Sequence, residues 1–321
     1  MINTALRVAL YEPLSGLAGI TVAQFITLLQ GSNPNMIDTT QRIALYPPRS
    51  GLPGATLAAI IAQAGGGPPA INSTRNFINE LLPQHFYTLS QVVGSTNFGD
   101  SGVGPAGIPI VNSPLFANSI PMANEAITTA ALFDGVNDHG VNTNDVDGFD
   151  TGTVFVFFNL AASLAANAQF YGQSNSDGAT RFILQFFADD RVRIFISRDG
   201  AGVNVYSSFF DYSALLTFNT WHLLAARQDG TGITWFFDDQ FFTVADAEVT
   251  ESTLGNLDNT AWLAETLVAA APADRSFMGA DAVGNQPFAG QVFNQVNDDR
   301  VWTDTELTDL FNLAVTNGLN A

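Results

Sequence analysis

The chain has 321 residues with no Cys and no Lys; 11 Arg and 3 His stand against 23 Asp and 7 Glu, for a formal charge of −19. That excess of carboxylates excludes a phosphate backbone or an anionic membrane surface as partner, because both need surplus Lys and Arg, so no nucleic acid is expected. The lack of Cys excludes a disulfide framework, a thiolate nucleophile and a Cys-based zinc site, and no apolar run reaches the ~18 residues of a membrane span.

In chain order, the start Met1–Arg7 has no basic segment ahead of an apolar stretch, so no signal peptide is expected. An internal repeat follows at an offset of 35 residues: 7–23 lies over 42–58 with 11 of 17 positions identical. Each copy reads as a short β-type run (Arg7 to Tyr11, Arg42 to Tyr46), a Pro-x-Ser-Gly turn and a Thr that caps a short helix. This predicts a small α+β region with a duplicated strand–turn–helix unit. It reads either as a packing unit without chemistry or as a docking module, with Arg7, Tyr11, Arg42 and Tyr46 as its matched anchoring residues. A third helix is expected at about 73–82, capped by Asn72 or Ser73 and ended by Pro83.

Residues 94–129 are rich in Gly, Pro, Ser and Asn and read as an extended connector between an anchoring region, 1–93, and a C-terminal domain, 130–321. Charge divides the chain near the same place. Up to Glu125 there are 5 acids and 4 Arg, a net of −1, whereas the remainder carries 25 acids and 7 Arg, a net of −18. A near-neutral part buried in an assembly and an acidic part facing water would account for this split.

From Ala131 onward, aromatic and β-branched runs alternate with Asp/Asn/Gly turns, the pattern of an antiparallel sandwich. One hairpin is predicted from Phe182–Phe187 and Val192–Ile196 around Asp189-Asp190, with Val192, Ile194 and Ile196 on one face and Arg191 and Arg193 on the other. A second joins Trp221–Gln228 to Ile233–Phe237. Phe155, Phe157, Phe186 and Phe195 are expected to pack in the core.

Four stretches in order suggest a family: Phe133-Asp134-Gly135-Val136-Asn137-Asp138; Gly152-Thr153-Val154-Phe155-Val156-Phe157-Phe158; Trp221-His222-Leu223-Leu224-Ala225 with Asp229-Gly230; and Phe288-Ala289-Gly290-Gln291-Val292 with Arg300 to Leu307. Over about residues 130–321 the chain resembles the concanavalin-like, laminin-G-like jelly-roll domains, of the kind found on phage virion surface proteins. The resemblance implies about 12–14 strands in two stacked sheets, Trp221 and Trp302 in the core, and a terminal helix over Asp304–Leu313. Residues 251–275 depart from the family pattern as an insertion.

Chemistry is sparse in this sequence. Related jelly rolls that cleave glycosides carry paired carboxylates on one strand, and no Glu here has an Asp two residues later, so no catalytic residue is assigned. Of the three His, His222 beside Trp221 reads as structural. Trp262, flanked by Asn259 in the insertion, reads either as local packing or as an exposed ring that stacks on a sugar or anchors a subunit contact. Asp145, Asp147 and Asp150 around Gly148 suit either an ordinary turn or a Ca²⁺ loop; no cofactor is otherwise required. Together these features favour a non-enzymatic virion structural protein, a head decoration or fibre subunit of a tailed phage. It would be a homo-oligomer that contacts other virion proteins through its N-terminal region and host-surface polysaccharide through the sandwich, without membrane insertion. The rivals are a bacterial surface or secreted adhesin and, behind it, a glycoside hydrolase.

Overall fold

The structure is a computed structural model that describes residues 73–89, 95–102, 107–112, 114–119, 129–143, 146–198 and 204–320. The chain divides into two compact units, Met1–Ile71 and Asn72–Ala321. The duplicated unit with Arg7, Tyr11, Arg42 and Tyr46 lies outside the described residues, and so does Asp145.

The described residues are mainly β, with two antiparallel sheets forming a sandwich. In chain order the strands are β1 (His85–Tyr87), β2 (Asn97–Phe98), β3 (Ile108–Asn112), β4 (Leu115–Ser119), β5 (Thr129–Asp134), β6 (His139–Asn142), β7 (Gly152–Asn159), β8 (Ala168–Ser174), β9 (Arg181–Phe186), β10 (Arg191–Arg198), β11 (Asn204–Asp211), β12 (Trp221–Gln228), β13 (Ile233–Phe237), β14 (Gln240–Phe242), β15 (Val249–Leu254), β16 (Arg275–Met278) and β17 (Ala289–Asp298). One sheet has eight strands in the order β14-β13-β12-β7-β17-β5-β4, with β1 also paired to β17. The other has nine, in the order β15-β11-β10-β9-β8-β16-β6-β3-β2.

Both expected hairpins are present. β9 and β10 pair with Val192 opposite Phe186, and β12 and β13 pair with Gln228 opposite Ile233. In β10 the burial alternates: Val192, Ile194 and Ile196 enter the core between the sheets, while Arg191, Arg193 and Phe195 stay half-buried on the other face. Period-two alternation of this kind belongs to a strand with one covered face.

β7 is different, because every residue from Gly152 to Phe158 is buried. Val154, Val156 and Phe158 fill the core between the sheets, and Phe155 and Phe157 fill a second core on the opposite side. Two helices close that second core: α1 (Thr74–Glu80), through Ile78, and α2 (Asp304–Thr316), through Leu307, Leu310 and Ala314. Their N-termini follow from local chemistry. The Ser73 hydroxyl accepts from Asn76 N, and at α2 a capping box joins Thr303 and Glu306 reciprocally. Trp221 and Trp302 are buried as expected and belong to this helix-covered core.

From β5 to β17 the C-terminal region holds 13 strands, within the expected 12–14. Two expectations change. The described residues upstream of 130 are more than an extended connector: the Gly/Pro-rich 94–129 segment supplies β2, β3 and β4, and 73–89 supplies α1 and β1. Phe98, Ile108 and Phe116 lie in runs too short and too interrupted by Gly, Pro, Ser and Asn to show a period, yet each is buried between the sheets. Finally, Phe195 is not a core residue but lies on the outer face of the nine-stranded sheet.

Candidate ligand-binding face

The insertion does not present Trp262 to solvent. A 3-10 turn over Leu263–Thr266 draws Leu257, Ala261, Trp262 and Leu263 into the core between the sheets, where Trp262 is 1% exposed. Its ring meets the edge of Phe182 at 4.9 Å between centroids. The exposed-ring reading is therefore corrected: four apolar residues in so short a stretch gain more from burial than from facing water. Asn259 pins the insertion to the β12–β13 hairpin. Its side-chain amide donates to Thr231 O (2.8 Å), and its carbonyl accepts from Gln228 Nε2 (2.6 Å).

Of the three carboxylates expected to suit a cation, Asp145 lies outside the described residues, and Asp147 and Asp150 are placed differently. Asp147 is buried with both carboxylate oxygens engaged, Oδ1 with His85 Nε2 (3.0 Å) and Oδ2 with the amide of Asn297. Its main chain also exchanges two hydrogen bonds with the Gln173 side chain, each 2.8 Å. Asp150 is exposed. Among the described residues, no group of three or more His, Asp or Glu is placed to hold a metal.

His85 itself lies between two carboxylates, with Nδ1 2.6 Å from Asp100 Oδ2. Burial opposes charge on this ring, but the hydrogen bonds to Asp100 and Asp147 outweigh it and raise its pKa to about 10. His222 is structural, held by Asp238 (2.9 Å) and the Thr217 carbonyl (3.0 Å).

Among the described residues, helices lie over the outer face of the eight-stranded sheet and none lies over the outer face of the nine-stranded sheet. The register places Gln185, Arg193 and Phe209 side by side across β9, β10 and β11, with Phe195 one step and Arg181 two steps along the same face. The side chains interleave as a ladder of rings and guanidinium groups. Arg193 Cζ lies 4.4 Å from the Phe195 centroid, 5.1 Å from Phe187 and 5.2 Å from Phe209; Arg181 Cζ lies 5.0 Å from Phe195. Such cation–π contacts hold long side chains flat against a sheet.

The ladder is also electrostatically unusual. Arg191 is paired with Asp189 (2.7 Å), and Arg198 with Glu265 (2.6 Å). Arg181 and Arg193 have no ion pair among the described residues; each keeps an unbonded Nε, and Arg193 hydrogen-bonds the neutral Gln185. Burial, reinforced by the charge of Arg181, lowers the Arg193 pKa to about 10; burial also lowers that of Arg181, against the attraction of Asp281. Both therefore remain cations at neutral pH.

Arg181 also borders a cleft of about 230 Å³ between the β8–β9 and β16–β17 loops, lined by Ser174, Asn175, Phe277, Asp281 and Asn285 among others. Phe277 lies across the sheet over Gly172, where a Cβ would stand 2.7 Å from its ring. This face was missed at the sequence level because the alternating Arg of β10 resemble any solvated strand face. The available signal was composition: four of the chain's 11 Arg fall within 181–198.

No family model and no curated protein matches the chain. Several solved structures align with part of the chain. The carbohydrate-binding module of family 40 from the Ruminococcus gnavus IT-sialidase aligns at 15% identity over 51% of this chain and 84% of its own, with a TM-score of 0.39. Domain 4 of AbnA, an extracellular arabinanase from Geobacillus stearothermophilus, aligns at 14% identity over 71% of this chain and 97% of its own, with a TM-score of 0.46. The receptor-binding domain of botulinum neurotoxin C/D mosaic serotype aligns at 9% identity over 72% of this chain, with a TM-score of 0.49; the match spans about half of that domain, 51%.

Proposed function

We propose that the sandwich is a non-catalytic, lectin-like recognition domain that holds a polysaccharide against the outer face of its nine-stranded sheet. The observation that carries this reading is the ladder of Arg181, Phe195, Arg193, Phe187 and Phe209, free of helices among the described residues and continuous through Arg181 with a polar cleft. Sugar rings are amphipathic: apolar C–H faces suit aromatic edges, and hydroxyls suit fixed donors and acceptors. Guanidinium groups already stacked on rings lose little freedom when they bind.

The charge division of the chain further supports a role in a multi-copy assembly, a tailed-phage virion in the leading reading, with the N-terminal region as anchor and the acidic sandwich outward. Weak single sites become strong attachment when many copies engage at once. A bacterial surface adhesin would use the same face. The test is a glycan array with the full chain, run with calcium and with chelator, beside the Phe209→Ala variant. The expected result is binding that the substitution weakens. Unchanged binding would move the site elsewhere, and absence of binding would leave a purely structural role.

A further inference from the structure

Resting on this reading of the face, we infer that the recognised polysaccharide is acidic, and that a carboxylate- or sulfate-bearing sugar sits at Arg193 while an uncharged sugar occupies the adjoining cleft.

The argument begins with the charge inventory. In a chain of −19, most arginines of the described residues are matched by a carboxylate: Arg191 by Asp189, Arg198 by Glu265, Arg227 by Asp304, Arg275 by Asp274 and Arg300 by Glu306. Arg181 and Arg193 stand outside that pattern, adjacent to one another and partly withdrawn from water by three Phe rings. Placing two like charges side by side in a desolvated setting costs stability unless an anion joins them. Acidic residues are abundant in this sequence, yet the neighbour that meets the Arg193 guanidinium is the uncharged Gln185. A guanidinium recognises carboxylate or sulfate oxygens through charge-assisted hydrogen bonds.

The cleft points the other way. Its lining includes Asp177 and Asp281 beside Arg181, so a second anion would be repelled there, whereas the hydroxyls of a neutral sugar could donate to these carboxylates. The two halves of the face thus call for different residues of one chain. Alternating acidic and neutral sugars would satisfy both.

The experiment uses the full-length protein on an array holding matched neutral, carboxylate-bearing and sulfate-bearing oligosaccharides, followed by calorimetry on the strongest binder of each class at low and high salt. Acidic oligosaccharides should bind about tenfold or more tightly than their neutral counterparts, and salt should narrow the difference. Arg193→Gln should abolish the preference, and Arg193→Lys, which keeps the charge and the stem but not the fork, should retain part of it. The carboxylate and sulfate arms tell the two anions apart. Neutral oligosaccharides bound as tightly as acidic ones, with no effect of Arg193→Gln in a variant shown to be folded, would overturn the inference and leave the recognition reading standing. Absence of binding across all three classes would overturn both.

Discussion

The polar side chains that matter most here are defined by their partners. Trp262 fills space between the sheets, so Trp262→Ala should cost about 3–5 kcal/mol, the usual range for emptying a large aromatic site, measured by urea unfolding. Its effect on glycan binding in the folded fraction should be small, and selective loss of binding without loss of stability would show the ring to be a ligand contact. His85 gives a pH prediction of definite sign. Its pKa rises from 6.5 to about 10 on folding, so the charged ring contributes stability in full below pH 6.5, and that contribution is lost as the pH climbs towards 10. The unfolding midpoint should fall across this range in the wild-type protein, and His85→Gln should flatten that slope while lowering stability near neutrality. A wild-type midpoint level from pH 6.5 to 10 would mean that the ring is not held between Asp100 and Asp147. Asp147 shows why such sites resist sequence reading: its partners His85 and Asn297 lie 62 and 150 residues away, and the local spacing of carboxylates that suggested a cation carries no trace of either.

At the level of elements, legibility followed periodicity. β10 could be read because alternation is sustained along it, β9, β12 and β13 because runs of apolar residues are bounded by Asp and Gly turns, and α2 because its apolar spacing starts immediately after a cap. β2, β3 and β4 could not, because short edge strands need only one or two apolar residues and tolerate Gly and Pro, the same composition that marks a linker. The proposed ligand face was half legible: the side on which Arg191 and Arg193 fall follows from alternation, whereas the approach of Phe187 and Phe209 depends on pairing between strands. Two substitutions test the element geometry. Thr303→Ala removes the cap of α2 and should lower stability by about 1 kcal/mol. Gly172→Ala should do worse than its size suggests, since the new Cβ would lie 2.3 Å from the Phe182 carbonyl oxygen and 2.7 Å from the Phe277 ring. Its signature would be weakened glycan binding together with lower stability, because Phe277 lines the cleft. A stable variant with native binding would contradict the packing at β8.

For the molecule as a whole, the boundary between units matters for any dissection. On the proposed reading, in which 1–93 anchors the chain in a particle, removing residues 1–71 should leave a folded β domain that binds glycan but no longer enters the particle, as judged by circular dichroism and by co-purification. Removing 1–93 takes α1 and β1 as well, uncovering part of the helix-side core and deleting His85, so that product should be markedly less stable or insoluble. Incorporation of the 1–71 deletion into particles would place the anchor within the sandwich instead. The same topology bears on synthesis. β17 pairs with β7, β5 and β1, so the middle of the eight-stranded sheet waits for residues 289–298 to leave the ribosome. Until then β7 and β5 expose edges rich in Phe and Ala, and His85 lacks the Asn297–Asp147 arm of its setting. Folding of this domain is therefore expected to be slow, as non-local β pairing dictates, with chaperone demand and aggregation risk concentrated in the interval before β17 inserts.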